Sequence, residues 1–174
     1  MKPFHLGAAS GVLAAATTGV IFAWRNPGPN VQYIQRVRFE LAGVVQPTAA
    51  QELALALFYQ SVFSANYTGG TACGSAARAR RLDAQRILRT SQIATSQLAD
   101  ANVRIADTGA LSAGGGDAID TQPWARRGVH VPATALDRVD TLELIWANPS
   151  PEADHNDPKH GCMVLLPDTG FNIT

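Results

Sequence analysis

Charge is scarce in this chain. Lys, Arg, Asp and Glu make up 16% of its 174 residues, against about 25% in an average soluble domain. The 14 basic and 14 acidic residues cancel to a formal net charge of zero. That balance excludes a generally basic nucleic-acid binder and a highly charged disordered tail. Large apolar side chains are scarce as well, because 29 of the hydrophobic residues are alanine and aromatics reach only 7%. Such a chain closes one modest core, so a single domain is expected. A sparsely charged, Ala/Gly-rich surface suits a protein that hides part of itself against partners.

Only two cysteines are present, Cys73 and Cys162. They make no CxxC pair and no metal quartet, and two small buried fillers are expected rather than a disulfide. Long apolar runs are missing too. Phe4–Trp24 lacks Asp, Glu, Lys and Arg, but Gly7, Ser10, Gly11, Thr17, Thr18 and Gly19 interrupt it. A membrane span needs about 20 strongly apolar residues. A secretory signal with Leu13–Ala16 as its small-residue site is the lesser reading. Extended segments over Phe4–Ala9 and Gly19–Trp24 are expected, ending at the breaker Asn26-Pro27-Gly28-Pro29.

Catalytic signatures are absent. There is no GxSxG, and Gly114-Gly115-Gly116 lacks the Lys-Ser/Thr of a phosphate loop. The four histidines are His5, His130, His155 and His160. The densest ligand set is Glu152, Asp154, His155, Asp157 and His160, which fits neither HExxH nor the EF-hand loop. It reads as a solvated polar loop. No catalytic, cofactor-binding or metal residue is assigned, and no cofactor is expected.

What is present is alternation. In Val31–Leu41, Val37, Phe39 and Leu41 face one way and Arg36, Arg38 and Glu40 the other, which predicts a half-buried strand. Over Glu52–Gln60, Leu53, Leu55, Leu57 and Tyr59 alternate with Ala54, Ala56 and Phe58, predicting a strand with a small-residue face. A turn at Gln46-Pro47-Thr48 separates the two. Loops are expected at Asn66–Thr71 and Leu111–Gly116, and an extended piece at Asp120–Trp124. Further strands are expected at Val103–Ala106, Leu142–Trp146, Cys162–Leu166 and Phe171–Ile173. The last two hinge at Pro167–Gly170, and Asn148–His160 is a Pro/Asp-rich excursion. Ser75–Ser96 has helical or irregular character. The fold class is all-β, a β-sandwich or jelly roll with one Arg-rich loop or short-helix insertion. Residues 1–17 form an extended N-terminal segment or arm, and 18–174 a single domain.

Several runs carry a family likeness: Gln35–Phe39, Pro47–Glu52, Ser64–Ala72, Leu88–Ser91, Val103–Ala106, Ala110–Gly114, Ile119–Pro123 and Met163–Phe171. Across about residues 18–174 the chain resembles a group of tailed-bacteriophage virion proteins. The Arg-rich segment Arg78–Arg89 and the acidic excursion Ser150–His160 fall outside the likeness. The resemblance implies an accessory capsid component in the virion, non-enzymatic and β-rich, that cements or decorates the major capsid protein shell. A carbohydrate- or receptor-binding module on the virion surface is the alternative.

Two residue groups are interface candidates. Arg78, Arg80, Arg81, Arg86 and Arg89, against the single Asp83 within Ser75–Ser96, suit docking on acidic patches. A solvated surface face is an equal reading. Nucleic acid is not expected, since no aromatics interleave them for base stacking. Trp24, Trp124 and Trp146 are expected to be core or interface anchors, with Trp24 and Trp146 at strand ends. A dimer or trimer fits the local symmetry of a shell. The N-terminal segment is either an interaction arm or the first strand of the protein's own sandwich.

Overall fold

The computed structural model describes residues 4–6, 9–14, 17–42, 49–73, 79–81, 102–113, 118–131, 141–147 and 162–174. Among the described residues, thirteen strands run in chain order. They are β1 (Phe4–Leu6), β2 (Phe22–Asn26), β3 (Gln32–Ile34), β4 (Arg36–Ala42) and β5 (Gln51–Val62). Then come β6 (Thr71–Ala72), β7 (Ala79–Arg81), β8 (Val103–Ile105) and β9 (Ala118–Ile119). The last four are β10 (Ala125–Val131), β11 (Thr141–Ala147), β12 (Met163–Leu165) and β13 (Thr169–Ile173). Every pairing among them is antiparallel. The fold is all-β.

The largest sheet has the order β10-β5-β13-β2-β8-β6, with β9 also on β5. Its long strand β5 shows why the alternation was readable. Leu55 and Leu57 are buried, while Glu52 and Ala54 stand exposed. Opposite Leu57 and Tyr59, β13 brings Ile173 and Phe171, and opposite those β2 brings Phe22 and Trp24. One face of the sheet is thus a continuous apolar and aromatic surface. Each fully buried Leu, Ile or Phe on it contributes about 1.5–3 kcal/mol.

The β4–β11 ladder covers this face. Its pairs Val37–Trp146, Phe39–Leu144 and Leu41–Leu142 point inward, with Leu142 and Leu144 buried. The Phe39 ring meets Phe22 edge-on at 6.4 Å. On the outward side, Arg38 bridges Glu40 and Glu143, which lie directly opposite each other across the ladder. The guanidinium resolves a like-charge pair that would otherwise push the strands apart.

The opposite face of the sheet admits a close approach. Phe63 packs over Gly170, where an added Cβ would lie 2.5 Å from the phenyl ring and 2.1 Å from the Trp24 carbonyl oxygen. Beside it, the buried Asn172 amide donates to Gln60 Oε1 at 3.1 Å, leaving Asn172 Oδ1 without a hydrogen bond.

Both polar excursions noted in the sequence leave and re-enter the ladders at adjacent positions. Ala72 pairs with Arg104, and the Cys73 amide donates to the Val103 carbonyl at 2.7 Å. The chain between Cys73 and Asn102 is therefore inserted at the end of the β6–β8 hairpin. In the same way Ala147 lies opposite Arg36 and Met163 opposite Ile34, so 148–162 are inserted between two consecutive paired stretches.

Several local expectations change. Val31–Leu41 is two strands, interrupted at Gln35, although Val37, Phe39 and Leu41 do turn inward. β2 runs through Trp24 to Asn26, because the Asn26 side chain organises the turn that follows. Strand β10 has no clear alternation in the sequence, since Arg126-Arg127-Gly128 interrupts the face from which Ala125 and Val129 pack against the core. Leu111 is a buried anchor rather than a free loop residue, its amide donating to the Val20 carbonyl at 2.7 Å. Within the Arg-rich segment, Ala79–Arg81 is strand. The expected turn at Gln46–Thr48 and the excursion 148–161 lie outside the described residues. Cys73 is buried, its thiol donating to the Thr71 carbonyl at 3.4 Å, whereas Cys162 is only partly buried.

Candidate functional site

The candidate residues separate by what already engages them. Trp24 is internal: it lies mid-strand, not at a strand end. Its indole stacks on Phe171 at 5.9 Å and donates from Nε1 to Gln32 Oε1 at 2.8 Å. Those contacts hold β2, β13 and the β3 region together, and both indole functions serve the core.

Trp124 and Trp146 meet each other. Their rings lie 5.9 Å apart, and Trp124 stacks on Tyr59 at 5.5 Å with 16° between the planes. Trp146 comes from β11 in the covering layer and Tyr59 from β5 in the large sheet. Trp124 immediately precedes β10, its amide donating to the Leu57 carbonyl at 2.8 Å. The three rings bridge the two layers, and Trp124 remains 44% exposed. An aromatic ring held by two others and open on its remaining side loses little entropy on contacting a partner.

Of the arginine cluster, Arg80 and Arg81 belong to β7, with Arg80 opposite His5 and Arg81 opposite Phe4. Arg78, Arg86 and Arg89 lie outside the described residues. Other arginines turn inward on the backbone. Arg104 donates to the Gly69 carbonyl at 2.6 Å and the Gly70 carbonyl at 3.2 Å, pinning that turn. Arg25 donates to the Phe63 carbonyl at 2.7 Å and to Asp168 Oδ1 at 2.6 Å.

A surface that the sequence reading did not single out lies on the β3–β12 ladder. Met163 and Leu165 are buried, so by alternation Val164 and its partner Tyr33 face outward. Val31 and Leu166, two residues further along each chain, share that side, and Leu166 is 51% exposed. Val31, Val164 and Leu166 thus form an apolar row in water. The signal was the unbroken run Met163-Val164-Leu165-Leu166, apolar on both faces of a strand with only one face in the core.

The electrostatics add one feature. Glu143, followed by Glu40, raises the Arg38 guanidinium above its ordinary pKa by hydrogen bonding and charge. Among the described residues no group of three His, Cys, Asp or Glu side chains is placed to hold a metal ion. The Glu152–His160 ligand set lies outside them. Among the described residues, also, no helix is long and apolar enough to cross a membrane.

No family model matches the chain, and no curated protein or solved structure is significantly similar to it.

Proposed function

We propose that this chain is a non-enzymatic structural protein of a tailed-phage virion that binds the major capsid protein and stabilises the shell as a cement or decoration protein. The observation that carries the reading is the outward row Val31, Val164 and Leu166 along the β3–β12 ladder, whose other face puts Met163 and Leu165 in the core. Apolar side chains aligned on a strand are costly in water and favour burial against a partner. The sequence runs shared in style with phage virion proteins supply the partner's identity. Neither nucleic acid nor a membrane has a part in the proposal. Binding of this kind stabilises a shell by mass action, about 2.7 kcal/mol at a hundredfold excess over Kd. Mass-spectrometric copy counting on purified virions tests it. The chain is expected at a fixed ratio to the major capsid protein, and its absence from intact particles would refute the proposal.

A second reading draws on Trp124. An exposed indole stacked on Tyr59 is a platform of the type that sugar rings use, which favours a carbohydrate- or receptor-binding module. Glycan-array binding lost in Trp124→Ala would support it. Tight association with empty shells that survives Trp124→Ala would oppose it.

A further inference from the structure

We infer that the partner seated on the outward row presents a carboxylate to Arg36, so that this face takes an apolar protein surface bordered by an acidic side chain. The inference rests on the proposed shell-binding reading and adds the chemistry of the partner. The face is longer than the row itself. Ile34, Met163 and Leu165 of the β3–β12 ladder pack on the same core as Val37, Leu142 and Leu144 of the β4–β11 ladder. The two ladders therefore turn their other sides the same way. Val31, Val164 and Leu166 lie at one end of that outward side, and Arg38, Glu40 and Glu143 at the other. Arg36 stands between them, and Ile145, 47% exposed, lies diagonal to it across the ladder.

The two arginines of this side differ in what already engages them. Arg38 is held by Glu40 and Glu143. Arg36 is exposed, and among the described residues no acceptor engages its guanidinium. From Tyr33, opposite Val164, to Arg38, opposite Ile145, the strand line advances about 17 Å. A stable interface covers about 800 Å² on each side, so a partner that buries Val164 also reaches Ile145 and Arg36 between them. Covering strips water from the guanidinium, and a desolvated cation without a counter-charge costs more than the neighbouring apolar contacts return. The partner must therefore bring an anion to this position. On a protein surface that anion is Asp or Glu, whose two oxygens match the planar guanidinium fork.

Purified shells that lack this chain are the probe, with binding read by co-sedimentation at low salt and the fold of each variant verified by circular dichroism. Arg36→Glu is compared with Arg126→Glu, which makes the same change of charge on the large sheet, where Arg126 is exposed opposite Ala56. Arg36→Glu is expected to weaken binding at least roughly tenfold, while Arg126→Glu and Arg36→Lys stay close to wild type. Carbodiimide treatment of the Arg36→Lys complex is expected to join the introduced amine to an Asp or Glu of the major capsid protein, mapped by mass spectrometry. Wild-type binding by Arg36→Glu, with none by Val164→Asp/Leu166→Asp, would overturn the inference and leave the shell-binding reading standing. Equal weakening by Arg36→Glu and Arg126→Glu would overturn it too, because overall charge alone would then matter. Wild-type binding to anionic phospholipid vesicles, lost in Arg36→Glu, would assign the face to a lipid phosphate and overturn the carboxylate. Shells that ignore the wild-type protein would overturn the reading itself, and the inference with it.

Discussion

The Asn26 side-chain amide donates to the Leu165 carbonyl at 2.8 Å, joining the end of β2 to β12 across most of the chain. The same amide group donates to the Asn30 carbonyl at 2.9 Å, and its oxygen accepts from the Gly28 amide at 3.0 Å. One fully buried side chain therefore closes the turn after β2 and fixes the ladder that carries the apolar row.

Asn26→Ala is expected to cost about 2–4 kcal/mol, since buried backbone groups lose their partners. Asn26→Asp keeps the acceptor for Gly28 but sets a carboxylate against two carbonyls, and is expected to be the worse of the two. Urea unfolding of the pair measures this. A loss below about 1 kcal/mol for both would remove Asn26 from its keystone role.

Gly170→Ala is expected to prevent native folding or lower stability by more than about 3 kcal/mol, because overpacking here meets backbone and an aromatic ring together. Gly69 gives the contrast: nothing lies within 4 Å of its added Cβ, but its φ is +81°. Gly69→Ala is expected to cost only the left-handed strain, about 1–2 kcal/mol. Thermal unfolding of the two variants separates crowding from backbone strain.

Arg38→Gln leaves Glu40 and Glu143 opposed. Stability is expected to fall at neutral pH and low salt, with the loss shrinking as added salt screens the pair. In the wild type, the raised Arg38 pKa gives stability that is complete below the ordinary arginine value and is lost only as pH rises past the raised one. Unfolding midpoints of both proteins against salt check the sign. A loss independent of salt would contradict the charge explanation.

Replacing 148–161 by a short Gly/Ser linker is expected to leave the fold intact, because β11 and β12 are already paired to Arg36 and Ile34 on either side of the insertion. Loop length itself changes stability only slowly. Circular dichroism and unfolding of the shortened chain test this, and collapse of the fold would show that the excursion has a structural role.

Much of this architecture was legible in the residues. Leu53, Leu55, Leu57 and Tyr59 alternate cleanly because β5 turns them all toward the core, with Leu55 and Leu57 buried, while Glu52 and Ala54 on the other face stand exposed. β10 was illegible because Ala125 and Val129, which pack against the core, stand among arginines and a glycine, and its identity comes from pairing with β5 over the whole of Gln51–Leu57. Long-range register of that kind has no local signature. At the candidate surfaces, the tryptophans could be named but not sorted. Trp24 turned inward because Gln32 and Phe171 meet it, whereas Trp124 stayed half open on Tyr59. The row at Val31, Val164 and Leu166 needed burial to see, since alternation alone does not say which apolar face lies inside.

The most direct test of the proposed function is co-sedimentation with purified shells that lack this chain, using wild type and a Val164→Asp/Leu166→Asp variant whose fold is verified by circular dichroism. Wild type is expected to bind to saturation at a fixed ratio and raise the temperature at which the shells dissociate, while the variant loses at least tenfold in affinity, about 1.4 kcal/mol. Shells that ignore the wild-type protein, or that bind both proteins equally, would contradict the proposal.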